Sequence, residues 1–210
     1  MNEFITIKND IQVEISEKKS KFIAHFFHVE TLKEAEDKIK LVKKKYFDAR
    51  HNCIAYRIIE NGQLIEKSND DGEPSGTAGA PMMNILQNNQ YANVLIVVTR
   101  YFGGILLGTG GLVRAYSNSL LKAIYESEKI EKCIGEELEV VLDYSSFENF
   151  KYYCKIQQIN ITSVEYLENI FCKIELESTK KLKLMEDFKT KKVILRDIKE
   201  LYKKYITKSI

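Results

Sequence analysis

The sequence predicts an α+β protein of two domains. Three observations carry that reading. The 210 residues exceed the roughly 100–150 typical of one domain. Segments that alternate apolar and polar residues, as half-buried strands do, are interleaved with segments whose apolar residues step by three and four, as helices do. Beyond a polar stretch at 126–137 the patterns run through a complete second set of elements, in the order βαββαβ. The boundary is placed near residues 130–136, which gives domains at 1–133 and 136–210.

The elements follow in order. Ile11, Val13 and Ile15 alternate with polar residues, and the aromatic and β-branched run from Lys21 to Val29 supplies a partner strand. Thr31-Leu-Lys-Glu34 has the spacing of a capping box, and Leu32, Ala35, Ile39, Val42 and Tyr46 form the buried stripe of the helix it opens. Lys43–Lys45 closes that helix, where cations suit the dipole. Cys53 to Ile59 reads as a strand with a turn at Asn61-Gly62, and residues 67–76 as a polar loop. Pro81 opens a short helix. Val94–Val98 is an unbroken apolar run, the pattern of a strand covered on both faces. Leu112 to Glu128 reads as a long helix. In the second domain, Leu138 to Tyr144 is a strand and Ser145-Ser-Phe-Glu148 caps a helix. A hairpin about Glu168-Asn169 follows, then a helix burying Leu182, Met185 and Phe188, and a last strand at Val193–Leu201.

Composition removes several classes of function. With 44% hydrophobic and 30% charged residues and two prolines, the chain is a folded globule, neither disordered nor fibrous. A formal net charge of +2 cannot hold a polyanion by bulk charge, so any nucleic-acid contact has to come from local patches. Lys18, Lys19 and Lys21 are one candidate patch and Lys43–Lys45 another; the lysines near 180–183 and 189–192 read as solvated helix faces. Cys53, Cys133, Cys154 and Cys172 are scattered without a C-x-x-C pair, which points to buried free thiols and to no metal site. His25, His28 and His51 lack metal-ligand spacing and read as strand or loop residues. No apolar run approaches a membrane span and the N-terminus lacks a signal pattern, so a cytoplasmic protein without a membrane partner is expected.

Two glycine-rich segments stand apart from a plain globule: NDDGEPSGTAGAP at 69–81 and TRYFGGILLGTGGLVRAY at 99–116. In the second, a buried strand runs through Gly103, Gly104 and Gly108 into a helix. That leaves the amides of Gly110 and Gly111 at the helix start, a geometry suited to anions, with Arg100 and Arg114 beside them. Asp70, Asp71 and Glu73 supply the opposite charge, and Ser75 and Thr77 supply hydroxyls. The arginines, the acidic loop and the glycine amides are expected to converge on one cleft. No Walker loop and no dinucleotide fingerprint is present, and no catalytic residue or cofactor is assigned.

The run HNCIAYR at 51–57, then DDGEPSGTAGAP, then RYFGGILLGTGGLVRAY resembles the bacterial YigZ proteins and the amino-terminal half of the Impact family. The resemblance covers about Lys18 to Tyr125, with a weaker likeness at 136–210 to the small carboxy-terminal domain of the bacterial members. It implies a first domain with the fold of the second domain of ribosomal protein S5, shared with a domain of the translocation elongation factor and with GHMP-type kinases, followed by a ferredoxin-like domain. It also implies a partner in the translation apparatus, an RNA, the ribosome or a translation-related protein, since eukaryotic relatives restrain the starvation-responsive initiation-factor kinase. On this reading the chain is a non-enzymatic regulator presenting Arg57, Arg100, Arg114 and the glycine loops. An enzyme reading stays open, in which a small phosphorylated or carboxylated substrate binds at Gly108–Gly111 and Asp70, Asp71 or Glu73 acts as acid, base or metal ligand. A third reading gives binding to the open sheet face of the second domain.

Overall fold

The computed structural model describes residues 1–208. It divides into two compact units, one covering Glu3–Ile130 and the other continuing from Glu131. Among the described residues no helix is long and apolar enough to cross a membrane.

The first unit contains β1 (Glu3–Ile7), β2 (Ile11–Glu17), β3 (Ser20–His28), α1 (Leu32–Lys45), β4 (His51–Glu60), β5 (Gln63–Asn69), α2 (Gly79–Asn88), β6 (Val94–Tyr101) and α3 (Gly108–Glu126). An antiparallel sheet in the order β2-β3-β6-β4-β5 forms its centre. Alternation along the strands sends Phe22, Ala24, Phe26, Cys53, Ala55, Ile96 and Val98 to one face, against Met82 and Leu86 of α2 and Leu112, Tyr116 and Leu120 of α3. Phe27, Ile54, Tyr56, Leu95 and Val97 go to the other face, against Ala35 and Val42 of α1. Strand β6 is central and covered on both sides, which is why its sequence is an unbroken apolar run.

Local signals act as spaced. The Thr31 hydroxyl accepts the Glu34 amide at 3.1 Å, and the Glu34 carboxylate accepts the Glu30 amide at 2.7 Å. Asn61 and Gly62 both take left-handed φ, +51° and +76°, as a two-residue hairpin turn requires. Two boundaries differ from the sequence reading. The polar loop begins only at Asp70, because Lys67, Ser68 and Asn69 still pair with β4 as an edge strand, where polar side chains face water at no cost. Helix α2 begins at Gly79, two residues before Pro81.

The second unit comprises β7 (Lys129–Leu142, which begins just before it), α4 (Phe147–Gln157), β8 (Asn160–Tyr166), β9 (Ile170–Glu177), α5 (Ser178–Lys189) and β10 (Asp197–Thr207). The strands are ordered β10-β7-β9-β8, all antiparallel, the arrangement of a ferredoxin-like split motif. Leu138, Val140, Leu142, Phe150, Cys154, Cys172, Ile174 and Leu184 form its core.

Three details depart from the sequence reading. Strand β7 begins at Lys129 rather than Leu138: residues 130–136 lie inside it, and it pairs with β10 down to Lys132↔Thr207. Strand β10 runs from Asp197 rather than Val193, since its pairing follows β7. Helix α5 buries Leu184 and Asp187 and leaves Leu182 73% exposed; Asp187 is drawn inward by the Tyr153 hydroxyl, which donates to it at 2.9 Å.

Candidate functional site

Register builds the site. Phe22 of β3 and His51 of β4 both lie opposite Arg100 of β6, so the ends of three strands deliver their side chains to one edge of the sheet. Arg100 is 7% exposed, with its Cζ 5.6 Å from the ring centroids of both Phe22 and Phe102. Its Nη1 donates to both carboxylate oxygens of Glu73, at 2.7 and 3.0 Å. The Tyr116 hydroxyl of α3 donates to the same carboxylate at 2.8 Å, and the Cys53 thiol donates to the Tyr116 oxygen at 3.3 Å. This chain from Cys53 to Arg100 is buried throughout. Burial pushes the Cys53 thiol up to about 12, beyond what its hydrogen bond with Tyr116 recovers, so it stays protonated and is not a nucleophile at neutral pH. Burial, followed by the neighbouring Cys53 and Glu73, raises the Tyr116 phenol.

Above Arg100 opens a cleft of about 600 Å³, lined also by Asp48, Arg50 and His51 on one side and Tyr101, Phe102 and Leu106 on the other. The Tyr101 hydroxyl donates to Asp48 at 2.6 Å, and that bond chiefly pushes the phenol up to about 12. His51 donates from Nδ1 to the Asp71 carbonyl at 2.9 Å. Arg50 is exposed, Phe102 is 53% exposed and Leu106 82% exposed.

Of the residues singled out in the sequence, Glu73 and Arg100 meet. The others separate. Asp70 is turned onto backbone, accepting the amides of Gly76, Ala78 and Gly79 at 2.7–3.0 Å, which caps α2. Asp71 accepts the Asn52 amide at 2.7 Å and pairs with Lys43 at 2.8 Å. The expectation that all three acids face one cleft is therefore corrected: Asp70 satisfies amides of its own loop and of the start of α2, and Asp71 satisfies an amide of β4 and Lys43. Arg57 is also corrected. It is 5% exposed, its Nε donates to Glu66 at 2.6 Å and its Nη1 to the Leu86 and Tyr91 carbonyls, so it ties β4 to β5 and to the end of α2. The Thr77 hydroxyl donates to the Pro74 carbonyl inside a turn, and Ser75 is exposed.

Gly103 sits against β3: a Cβ there meets the Lys19 carbonyl at 2.0 Å. Gly104 and Gly108 take positive φ, Gly111 packs on Leu107, and Gly110 faces open space. Arg114 is exposed on α3, but neither it nor Gly110 or Gly111 lines the cleft. The second cation of the cleft is Arg50, which the sequence reading passed over together with Asp48, Tyr101, Phe102 and Leu106. His51 was read there as a strand or loop residue without a functional role, and it opens β4. The signal was the pairing of β4 with β6, which sets the segment before His51 beside the one after Arg100. On the second unit, Glu137, Tyr202, Lys204 and Glu175 engage one another on the sheet face opposite the core. No three His, Cys, Asp or Glu side chains among the described residues are grouped to hold a metal.

Comparison with known proteins agrees with the motifs. A family model for the Impact N-terminal domain matches residues 18–124. The Impact family member YvyE of Bacillus subtilis is 39% identical over 170 residues, covering 81% of this chain and 78% of its own. YigZ of Escherichia coli is 42% identical over 109 residues, covering 51% of this chain and 53% of its own. A crystal structure described as that of a hypothetical protein superposes with a TM-score of 0.61 at 26% identity, covering 96% of this chain and 98% of that one.

Proposed function

The chain belongs to the Impact family, and from that premise we propose that it is a cytoplasmic regulatory protein of translation or of the stress response that binds its partner at the cleft above Arg100. One observation carries the reading: the cleft sets the guanidinium groups of Arg50 and Arg100 beside Phe102 and Leu106, whose apolar surface stands open to solvent. Cations bordered by exposed aromatic and aliphatic groups suit an interaction surface, whether of RNA, the ribosome or a translation-related protein. The acids that an enzyme would need are spoken for. Glu73 is held by Arg100 and Tyr116, and Asp70 by three amides, so the site favours binding over acid–base chemistry.

The test is cosedimentation. Layered with ribosomes over a sucrose cushion, the chain is expected to pellet at low salt and to be released as salt rises. A chain that stays in the supernatant at every salt concentration, and is not retained with RNA on filters, overturns the proposal.

A further inference from the structure

We infer that the cleft takes a nucleotide unit, its phosphate on Arg50 and the free edge of Arg100 and its base against Phe102. The inference rests on the preceding reading of the cleft as the binding surface and names what enters it.

Arg100 supplies the first reason. An arginine that serves only an ion pair meets the two carboxylate oxygens with two nitrogens, as a fork. Here Nη1 alone serves both oxygens of Glu73, and Nε is buried without a partner. A buried donor left unmade is costly, and the guanidinium is kept in this pose by the rings of Phe22 and Phe102. The pair with Glu73 thus leaves Nη2 unengaged by the carboxylate on a residue that lines the cleft, while Nε is enclosed and out of a ligand's reach.

The cleft's other polar groups leave the same opening. Asp48 is turned to the Tyr101 hydroxyl, while His51 commits Nδ1 to the Asp71 carbonyl and retains Nε2. Arg50 brings a second, exposed guanidinium. An anion is called for, but an anion alone leaves the half-exposed Phe102 ring and Leu106 bare. A ligand with a phosphate at one end and a flat apolar body at the other covers both. The volume of about 600 Å³ falls within the roughly 300–1,000 Å³ of ligand sites, and stacking on one aromatic ring accepts any base. A free nucleotide and an unpaired residue of single-stranded RNA present this same chemistry.

The experiment is fluorescence anisotropy of a labelled single-stranded adenosine decamer titrated with the full chain, with AMP and inorganic phosphate as competitors. Phe102→Ala is expected to weaken binding about tenfold, the equivalent of about 1.4 kcal/mol. Arg50→Gln is expected to weaken it and to lower the salt slope by about one. Both side chains are exposed, and unfolding midpoints matching the parent are the check that both variants fold. Displacement by AMP assigns the free nucleotide, and resistance to AMP assigns the polymer; each supports the inference. Equal binding by both variants and the parent overturns it, as does competition by inorganic phosphate as strong as by AMP. If neither RNA nor AMP binds, yet the parent pellets with ribosomes and Phe102→Ala does not, the nucleotide is overturned and the cleft stands as a protein-facing surface. If nothing binds and nothing pellets, both readings fall.

Discussion

Residues 69–81 commit Asp70, Asp71, Glu73 and Thr77 to partners within the fold, whereas residues 100–111 run from β6 into α3 through a loop whose Phe102, Ile105 and Leu106 face solvent. Both segments are glycine-rich, with Gly72, Gly76 and Gly79 in the first and Gly103, Gly104, Gly108, Gly110 and Gly111 in the second, and they lie at the same edge of the sheet, joined by the pair between Glu73 and Arg100. In the first, Asp70 and Asp71 are consumed by backbone amides of the loop and of β4. In the second, β6 ends and its side chains emerge above a buried cation. Glycine density marks both as unusual; only the fate of the polar groups tells scaffold from surface.

The largest effect that can break this comparison is expected at the joint. Glu73→Ala leaves Arg100 buried without its counter-charge and is expected to cost about 3–5 kcal/mol in urea unfolding. A loss below about 1 kcal/mol means that the first segment does not hold the second. Gly103→Ala comes next, since its Cβ falls 2.0 Å from the Lys19 backbone and is expected to cost about 1–3 kcal/mol, read as a lower unfolding midpoint.

Asp70 sharpens the comparison by pH. Burial raises its carboxyl, but three amide hydrogen bonds outweigh that and hold it below the usual range. Its contribution is therefore present above about pH 3.9 and is lost as pH falls through the lower folded value. Asp70→Ala is expected to cost about 1 kcal/mol at pH 7 and to remove that dependence. The limb at higher pH belongs to His25, whose ring is lowered from 6.5 to about 4, first by burial and then by Lys45. The unfolded chain takes up that proton first, so stability falls from pH 6.5 toward 4, and His25→Phe is expected to flatten this part alone. Smallest is Gly110→Ala, in open space in the first turn of α3, expected to shift stability by no more than about 1 kcal/mol and in the favourable direction.

The elements were legible wherever local chemistry decides them: the capping box at Thr31, the Asn61-Gly62 turn, and the apolar run of β6. Strand β7 was read from Leu138 rather than Lys129 because the charged Glu136 and Glu137 break the apolar alternation. Both are buried, Glu136 against Lys181 at 2.6 Å and Glu137 against Lys204, and those partners lie far along the chain. The candidate site divides in the same way. Arg100 and Glu73 could be picked out by residue type, but whether an acid meets an arginine or an amide depends on loop geometry that residue type does not encode. Arg50 and His51 join the cleft only through the register of β4 with β6.

The central claim, that the second segment is the binding surface and the first its support, is tested most directly by ribosome cosedimentation of two variants side by side. Arg50→Gln/Phe102→Ala alters the cleft, and Ser75→Ala alters the exposed part of the first segment. With unfolding midpoints matching the parent, the double variant is expected to remain in the supernatant while Ser75→Ala pellets as the parent does. Pelleting of the double variant at the parent's level, or loss of pelleting in Ser75→Ala, contradicts the account.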